Sequence, residues 1–218
     1  MTPEPFHYEA PRCIAAALAL LDDDAKALAG GQSLVPMLNF RLARPARLVD
    51  LNPIAELTYL RRSDGKLHIG ALTRHATLER SGGVARGWPL LTQAVRLVGH
   101  AAIRSRGTVG GSAAHADPAA ELPAALTALD ARFELISDRG GRSLSAAEFF
   151  RGRMTTALQA DELLREIVVP ALDRRGAGRT GRRADAPAAG VHRTSRPPMW
   201  LLHRRLPDDG RGAAPSPP

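Results

Sequence analysis

The chain has 218 residues, which is enough for one large domain or two small ones, and 44% of them are hydrophobic. Its single cysteine, Cys13, excludes an internal disulfide framework and an iron–sulfur cluster held by cysteines of this chain. The longest apolar run, 13–21, is too short to cross a bilayer, and residues 1–5 lack the basic start of a secretion signal. We therefore expect a cytoplasmic protein with no transmembrane segment.

The net charge of +8 is distributed unevenly along the chain. Residues 171–218 contain ten arginines and four aspartates, whereas residues 1–170 are nearly neutral. Because the basic segment is also rich in proline and glycine and shows no helix or strand periodicity, we predict a disordered tail over 171–218. A nearly neutral folded part argues against nucleic acid as a partner, and a basic binding module that acts through the tail is kept as an alternative.

Residues 1–53 are predicted to form a first subdomain in which helices and strands alternate. Ser33 precedes a helical pattern and is a suitable N-cap residue. In chain order, the pattern predicts a helix over 10–21, a strand over 26–29, a helix over 34–42 and a strand over 47–51.

Residues 54–170 are predicted to form a second subdomain, which makes the whole an α+β protein. A turn at 63–65 separates two strand patterns and predicts a β-hairpin. Ser145 and Glu148 have the spacing of a capping box and predict a short helix. The remaining pattern predicts hairpin strands over 57–61 and 66–71, helices over 75–80, 89–98 and 121–129, and strands over 132–137, 141–144 and 163–169.

Two short segments carry most of the functional information. The first glycine segment comprises Ala29, Gly30, Gly31, Gln32, Ser33 and Leu34, and the second comprises Thr108, Val109, Gly110, Gly111 and Ser112. Glycine has no Cβ, so adjacent glycines can expose successive backbone N–H groups and let another group approach the main chain. A helix that follows adds unpaired N-terminal donors, which suits a phosphate. One such segment is usually only a turn, but two predict the walls of one site for a polyphosphate or dinucleotide.

Neither segment fits a better known catalytic or nucleotide motif. The second segment matches neither the dinucleotide fingerprint nor a P-loop. Val35 stands where a hydrolase elbow around Ser33 would need glycine. We therefore predict no catalytic acid, base or nucleophile.

Ligating and charged side chains near the two segments leave alternatives open. His115 and Asp117, with His75 as a third ligand, could form a metal site, but their spacing does not require one and we predict none. Arg104 and Arg106 could attract phosphates or could simply be solvated surface residues.

The two glycine segments, their order and their neighbours resemble the flavin-binding medium subunit of the molybdenum hydroxylases. This superfamily includes xanthine dehydrogenase and aerobic carbon monoxide dehydrogenase, and the resemblance is nearest to the latter type. The ordered set is far more specific than either segment alone. The matching stretches are 29–38, 41–45, 69–73, 103–112, 115–123, 149–150 and 161–170.

The resemblance implies FAD bound between two α+β subdomains of the PCMH and vanillyl-alcohol oxidase type. In that family, the first glycine segment wraps the FAD pyrophosphate, and the second meets the same phosphates and the ribityl region. Glu121 stands where family members often have aspartate, at the ribose and adenine end. Leu164 falls where an aliphatic side chain packs against the isoalloxazine ring.

The resemblance also implies a role in electron transfer within a larger complex. A small subunit with two [2Fe–2S] clusters and a large subunit with the molybdenum cofactor are the implied partners, and electrons pass through FAD to an external acceptor. A stand-alone flavin oxidoreductase of the same fold and an inactive truncated fragment are alternatives. In the family a C-terminal α+β domain follows, whereas here 171–218 are rich in arginine, proline and glycine, so we hypothesise a frameshift or truncated gene near residue 171.

Overall fold

A computed structural model describes residues 2–171, which contain both helices and strands. The strands are β1 (His7–Glu9), β2 (Ala25–Leu28), β3 (Arg47–Asp50), β4 (Leu60–Ser63), β5 (Lys66–Gly70), β6 (Arg132–Ser137), β7 (Gly140–Ser145), β8 (Phe150–Gly152), β9 (Thr155–Thr156) and β10 (Leu163–Val169). The helices are α1 (Ile14–Leu18), α2 (Leu34–Asn39), α3 (His75–Arg80), α4 (Gly82–Gly87), α5 (Pro89–Leu97), α6 (Ala101–Arg106), α7 (Val109–His115), α8 (Glu121–Ala128) and α9 (Ala146–Phe149), with a 3-10 turn at Ala55–Leu57. The predicted mixture of helix and strand is confirmed, and the predictions for the tail lie outside the described residues.

A small parallel sheet is built from the first fifty residues, in the order β1–β3–β2. Helices α1 and α2 follow β1 and β2, as parallel pairing requires a crossover between neighbouring strands. Ile14 and Ala17 on α1 are buried with Val49 of β3, so the helix covers one face of this sheet.

A larger antiparallel sheet has the order β4–β5–β10–β6–β7. The last strand in the sequence is therefore central, and its Ile167 pairs with Ile69 on one side and Phe133 on the other. Side chains alternate between faces with a period of two, and these three are fully buried on the face that the helices cover. Phe133 also stacks on Phe149 with ring centroids 4.2 Å apart.

A second buried cluster joins the two sheets. Leu72, after β5, and Leu163, at the start of β10, pack with Val49 of β3 and with Leu51, which follows β3. In the sequence, the strands of the small sheet precede residue 53 and those of the large sheet follow it. The predicted subdomain boundary at residue 53 itself stays a prediction.

Several predicted elements are shorter or shifted. The helix expected over 10–21 covers only Ile14–Leu18, because Cys13 is extended and forms the N-cap. The helix expected over 34–42 ends at Asn39, and Arg41 takes a left-handed conformation. The first hairpin strand is Leu60–Ser63 rather than 57–61, because Leu57 ends a 3-10 turn.

The predicted capping box and the predicted bounds of three elements are confirmed. The Ser145 Oγ accepts a hydrogen bond from the Glu148 amide, and the Glu148 carboxylate accepts one from the Ser145 amide. The predicted bounds of α3, β6 and β10 agree with the structure. Within residues 2–171, no helix has the length and apolar character needed to span a bilayer.

Candidate functional site

Both glycine segments line one cavity of about 770 Å³, a volume within the usual range of ligand pockets. The first segment joins β2 to α2, and the second runs from the residue before α7 into that helix. Of the thirteen predicted site residues, eleven contribute to the wall. These are Ala29, Gly30, Gly31, Gln32, Ser33, Leu34, Thr108, Gly110, Gly111, Ser112 and Leu164.

Two predicted site residues lie outside the cavity wall. Val109 is fully buried in the core of the large sheet, because the first turn of α7 points its side chain away from the cavity. Glu121 begins α8, which packs on α5 and α7, and its half-buried side chain does not line the cavity.

The first glycine segment presents a run of unused backbone donors. The amides of Gly30, Gly31, Gln32, Ser33 and Leu34 have no hydrogen-bond acceptor among residues 2–171, and all five residues line the cavity. Within the described part of the chain, these donors are therefore left to solvent or to a bound ligand. Adjacent N–H groups of this kind form a concave site for an anion such as a diphosphate.

Gly31 gives the first glycine segment its shape. Its φ of +73° lies in the left-handed region, which glycine adopts without steric cost. The chain then enters α2, where the Val35 amide donates to the Gly31 carbonyl. Ser33 precedes the helix as predicted, but its side chain makes no capping hydrogen bond among the described residues.

The second glycine segment differs from the expectation of open amides. Val109 and Gly110 donate to the carbonyls of Thr73 and Ala71, at 2.9 Å in both cases. Gly111 donates to the Thr108 Oγ1 at 3.1 Å, and Ser112 donates to the Thr108 carbonyl. These four amides are thus already paired, because the segment is the first turn of α7 and also pairs with 71–75.

Gly30 and Gly110 each let their segment pack closely against another part of the main chain. A Cβ on Gly30 would overlap the Arg106 carbonyl oxygen and lie 2.8 Å from the Gly107 Cα. A Cβ on Gly110 would lie 2.6 Å from both the Cβ and the carbonyl oxygen of Ala71. The missing side chains therefore serve packing within the protein, whereas we predicted from the sequence that they let a ligand approach the main chain.

His75 fixes the chain that leads into the second glycine segment. Its amide donates to the Gly107 carbonyl at 3.0 Å, and its Nε2 is 2.9 Å from the Thr108 carbonyl oxygen. The ring is buried, and its Nδ1 has no partner among the described residues. Burial lowers the pKa of His75, and the nearby cations Arg104 and Arg74 lower it further. A neutral ring that donates from Nε2 fits these contacts.

The alternatives left open near the segments can be compared with the structure. Arg104 donates to the Glu79 carboxylate at 2.8 Å and to the carbonyls of Val98 and Gly99, so it holds α3 and α6 together. Across residues 2–171, no three His, Cys, Asp or Glu side chains come close enough to hold a metal ion.

Charged side chains also line the cavity. Lys26 is a cation on its wall, and the anions are Asp22, Asp23, Asp117 and Glu162. Two of these acids are paired: Asp22 with Arg47 at 2.9 Å, and Glu162 with Arg142 at 2.6 Å. The bond from Arg142 lowers the pKa of Glu162. Backbone amides rather than arginine side chains are therefore the main donors available to an anionic ligand.

Comparison with known proteins identifies the family of this chain. Residues 4–172 match the family model described as the FAD binding domain in molybdopterin dehydrogenase, and the chain belongs to this family. The alpha subunit of the 6-hydroxypseudooxynicotine dehydrogenase complex of Paenarthrobacter nicotinovorans is 46% identical over 175 residues, which are 79% of this chain and 59% of that protein. The carbon monoxide dehydrogenase medium chain of Hydrogenophaga pseudoflava is 41% identical over 174 residues, 78% of this chain and 61% of that protein.

A solved structure shows the same fold. Carbon monoxide dehydrogenase from Hydrogenophaga pseudoflava, in a form that lacks the Mo-pyranopterin moiety of its cofactor, matches with a TM-score of 0.77 and 41% identity. The match covers 80% of this chain and 62% of that one. The chain thus spans about three-fifths of the length of the relatives it matches.

The residues present fit the cofactor of this family. FAD carries a diphosphate, and the first glycine segment offers five adjacent amides without an acceptor among residues 2–171. The buried aliphatic side chain of Leu164 lines the same cavity and provides apolar surface for a planar ring system.

Proposed function

We propose that this chain is the FAD-binding electron-transfer subunit of a molybdenum hydroxylase and relays electrons from partner [2Fe–2S] clusters to an external acceptor. The observation that carries the proposal is the run of five open amides in a cavity shared by both glycine segments. Family membership supports the cofactor, and the relatives are named as subunits of dehydrogenases.

The residues of the site act by binding and orienting. Each hydrogen bond from an amide of the first glycine segment to a phosphate oxygen is worth about 1.5–3 kcal/mol, because the acceptor is charged. We propose that Thr108 and Ser112, with their hydroxyl groups, and the side-chain-free surface of Gly111 form the opposite wall. FAD, when bound, supplies the redox chemistry, and the protein sets its position and solvent access.

We propose that the electron donors belong to other chains. Cys13 is the single cysteine of the sequence, so this chain cannot ligate an iron–sulfur cluster through cysteine. We propose a small [2Fe–2S] subunit and a large molybdenum-cofactor subunit as partners, and a cytoplasmic location. The naming of one relative as a medium chain and of another as a complex subunit supports this assembly.

The first test is the visible absorption spectrum of the purified full-length chain with and without added FAD, followed by titration with FAD and with riboflavin. We expect one FAD per chain and much weaker binding of riboflavin, which lacks the diphosphate. Equal affinity for FAD and riboflavin would contradict the assignment of the open amides to the diphosphate, and no flavin binding would contradict the proposal as a whole.

The second test addresses the role in a complex. We expect the chain to copurify with its two partner subunits when the three are expressed together, and to be reduced only in that assembly. Turnover of a reducing substrate by the isolated chain would instead identify a stand-alone flavin oxidoreductase.

A further inference from the structure

A pair of polar side chains outside the cavity wall links the first glycine segment to the backbone that leads into the second. Asn52 follows β3, and Arg74 is the residue before α3. The Arg74 Nη2 donates to the Asn52 Oδ1 at 2.6 Å, across 22 positions of the sequence. Neither residue lines the cavity.

Each member of the pair holds one of the two backbone stretches that meet at Gly30. The Asn52 Nδ2 donates to the Ala29 carbonyl at 2.9 Å, immediately before Gly30. The Arg74 Nη1 donates to the Arg106 carbonyl, which is the peptide against which Gly30 packs. The side-chain pair therefore bridges the same contact from both sides.

The orientation of Asn52 is fixed by its surroundings. The Asp50 Oδ1 accepts hydrogen bonds from both the backbone amide and the Nδ2 of Asn52, and Tyr8 donates to the other oxygen of Asp50 at 2.5 Å. Two acceptors face the Nδ2, and a guanidinium faces the Oδ1, so only one orientation of the amide satisfies all partners. Arginine suits the other position because its planar fork serves two acceptors at once.

We propose that Asn52 and Arg74 form a clamp of positioning residues that sets the separation of the two glycine segments for the FAD diphosphate. The clamp acts through the carbonyls of Ala29 and Arg106 rather than by touching the cofactor. It rests on the proposed function, since it concerns the affinity of the same site. We expect such a clamp to strengthen binding of the diphosphate more than binding of the isoalloxazine ring, because it fixes the backbone that carries the phosphate donors.

The experiment compares Asn52→Leu, Arg74→Met and the double variant with the wild-type full-length chain. Dissociation constants for FAD and riboflavin are measured by flavin fluorescence, and the melting temperature of the apoprotein is measured in parallel. Arg80→Met is the matched control, since Arg80 is an exposed arginine in the last turn of α3. Arg74→Lys, which keeps the charge but loses the fork, serves as a milder variant if Arg74→Met does not fold.

We expect each single variant to bind FAD about 10- to 100-fold more weakly, the effect of losing one hydrogen bond of a charged group. The double variant should bind FAD no more weakly than the weaker-binding single variant, because both substitutions break the same bridge. Riboflavin affinity and the Arg80→Met control should match the wild type.

Three results would overturn the clamp: wild-type FAD affinity in the variants, an equal loss for FAD and riboflavin, or a lowered melting temperature with unchanged affinity. A wild-type chain that binds no FAD would instead refute the proposed function itself.

Discussion

The contact between Gly30 and the chain at 106–107 gives the sharpest test of how the site is built. In Gly30→Ala, the new Cβ would lie 2.8 Å from the Gly107 Cα and 3.0 Å from the Arg106 carbonyl carbon. Non-bonded carbons rest at about 3.5–4.0 Å, so the first segment and the backbone at 106–107, which leads into the second segment, must separate by about 1 Å. The neighbours are backbone atoms, which cannot rotate away as a side chain would.

The cost of this separation follows from packing and from the lost ligand contact. Overpacking by a methyl group in a well-packed region costs about 1–3 kcal/mol of folding stability. A shift of about 1 Å also moves the amides of the first glycine segment out of hydrogen-bond range of a ligand held by the second. The loss of one charge-assisted bond weakens FAD binding by roughly 10- to 100-fold.

Two measurements on the purified chain test this prediction: urea unfolding of the apoprotein and fluorescence titration with FAD. Gly152→Ala is the control, because a Cβ on Gly152 in β8 would have no heavy atom within 4 Å. A Gly30→Ala variant with the stability and FAD affinity of the Gly152→Ala control would show that the backbone at 106–107 does not pack against Gly30.

Three further predictions concern single side chains. Burial lowers the pKa of His75, so this imidazole binds a proton more tightly in the unfolded chain than in the folded one. The free energy of unfolding should therefore fall by up to about 1.4 kcal/mol per pH unit as the pH drops below about 6.5. His75→Gln should remove this part of the acid sensitivity in urea unfolding curves taken from pH 8 to 5. The Thr108 Oγ1 caps α7 by accepting a hydrogen bond from the Gly111 amide. Thr108→Ala should lower the free energy of unfolding by about 1 kcal/mol, whereas Thr108→Ser should keep most of the wild-type stability. Equal stabilities for the Ala and Ser variants would argue against the cap. Phe133→Ala removes a fully buried ring stacked on Phe149 and should cost about 3–5 kcal/mol of stability by the same assay, so a loss below about 1 kcal/mol would contradict the packing of the large sheet.

Much of the local structure could be predicted from the sequence. Apolar alternation and the stop at Pro170 give the bounds of β10, and the Ser145 and Glu148 spacing gives the capping box, because these signals act over a few neighbouring residues. The paired glycines and the residues around them indicated the family, to which the chain belongs. Short elements such as β1, α4 and α6 were missed, since pieces this brief carry too few residues to show a period.

The roles of individual residues at the site were less accessible from the sequence. Gly30 and Gly110 were expected to make room for a ligand, but each lies against another part of the main chain. Asn52 and Arg74 belong to no sequence motif, and their bond becomes visible only in the folded chain, because the two residues are 22 positions apart in the sequence.

The sequence by itself thus determined the bounds of elements with a clear local signal, such as β10, and indicated the family and with it the cofactor, because these depend on local spacing and on residue type. Tertiary structure alone decided which amides stay free to bind and which are used inside the protein. The physical reason is that a backbone donor is available only if no acceptor from a distant part of the chain is brought within hydrogen-bond range of it.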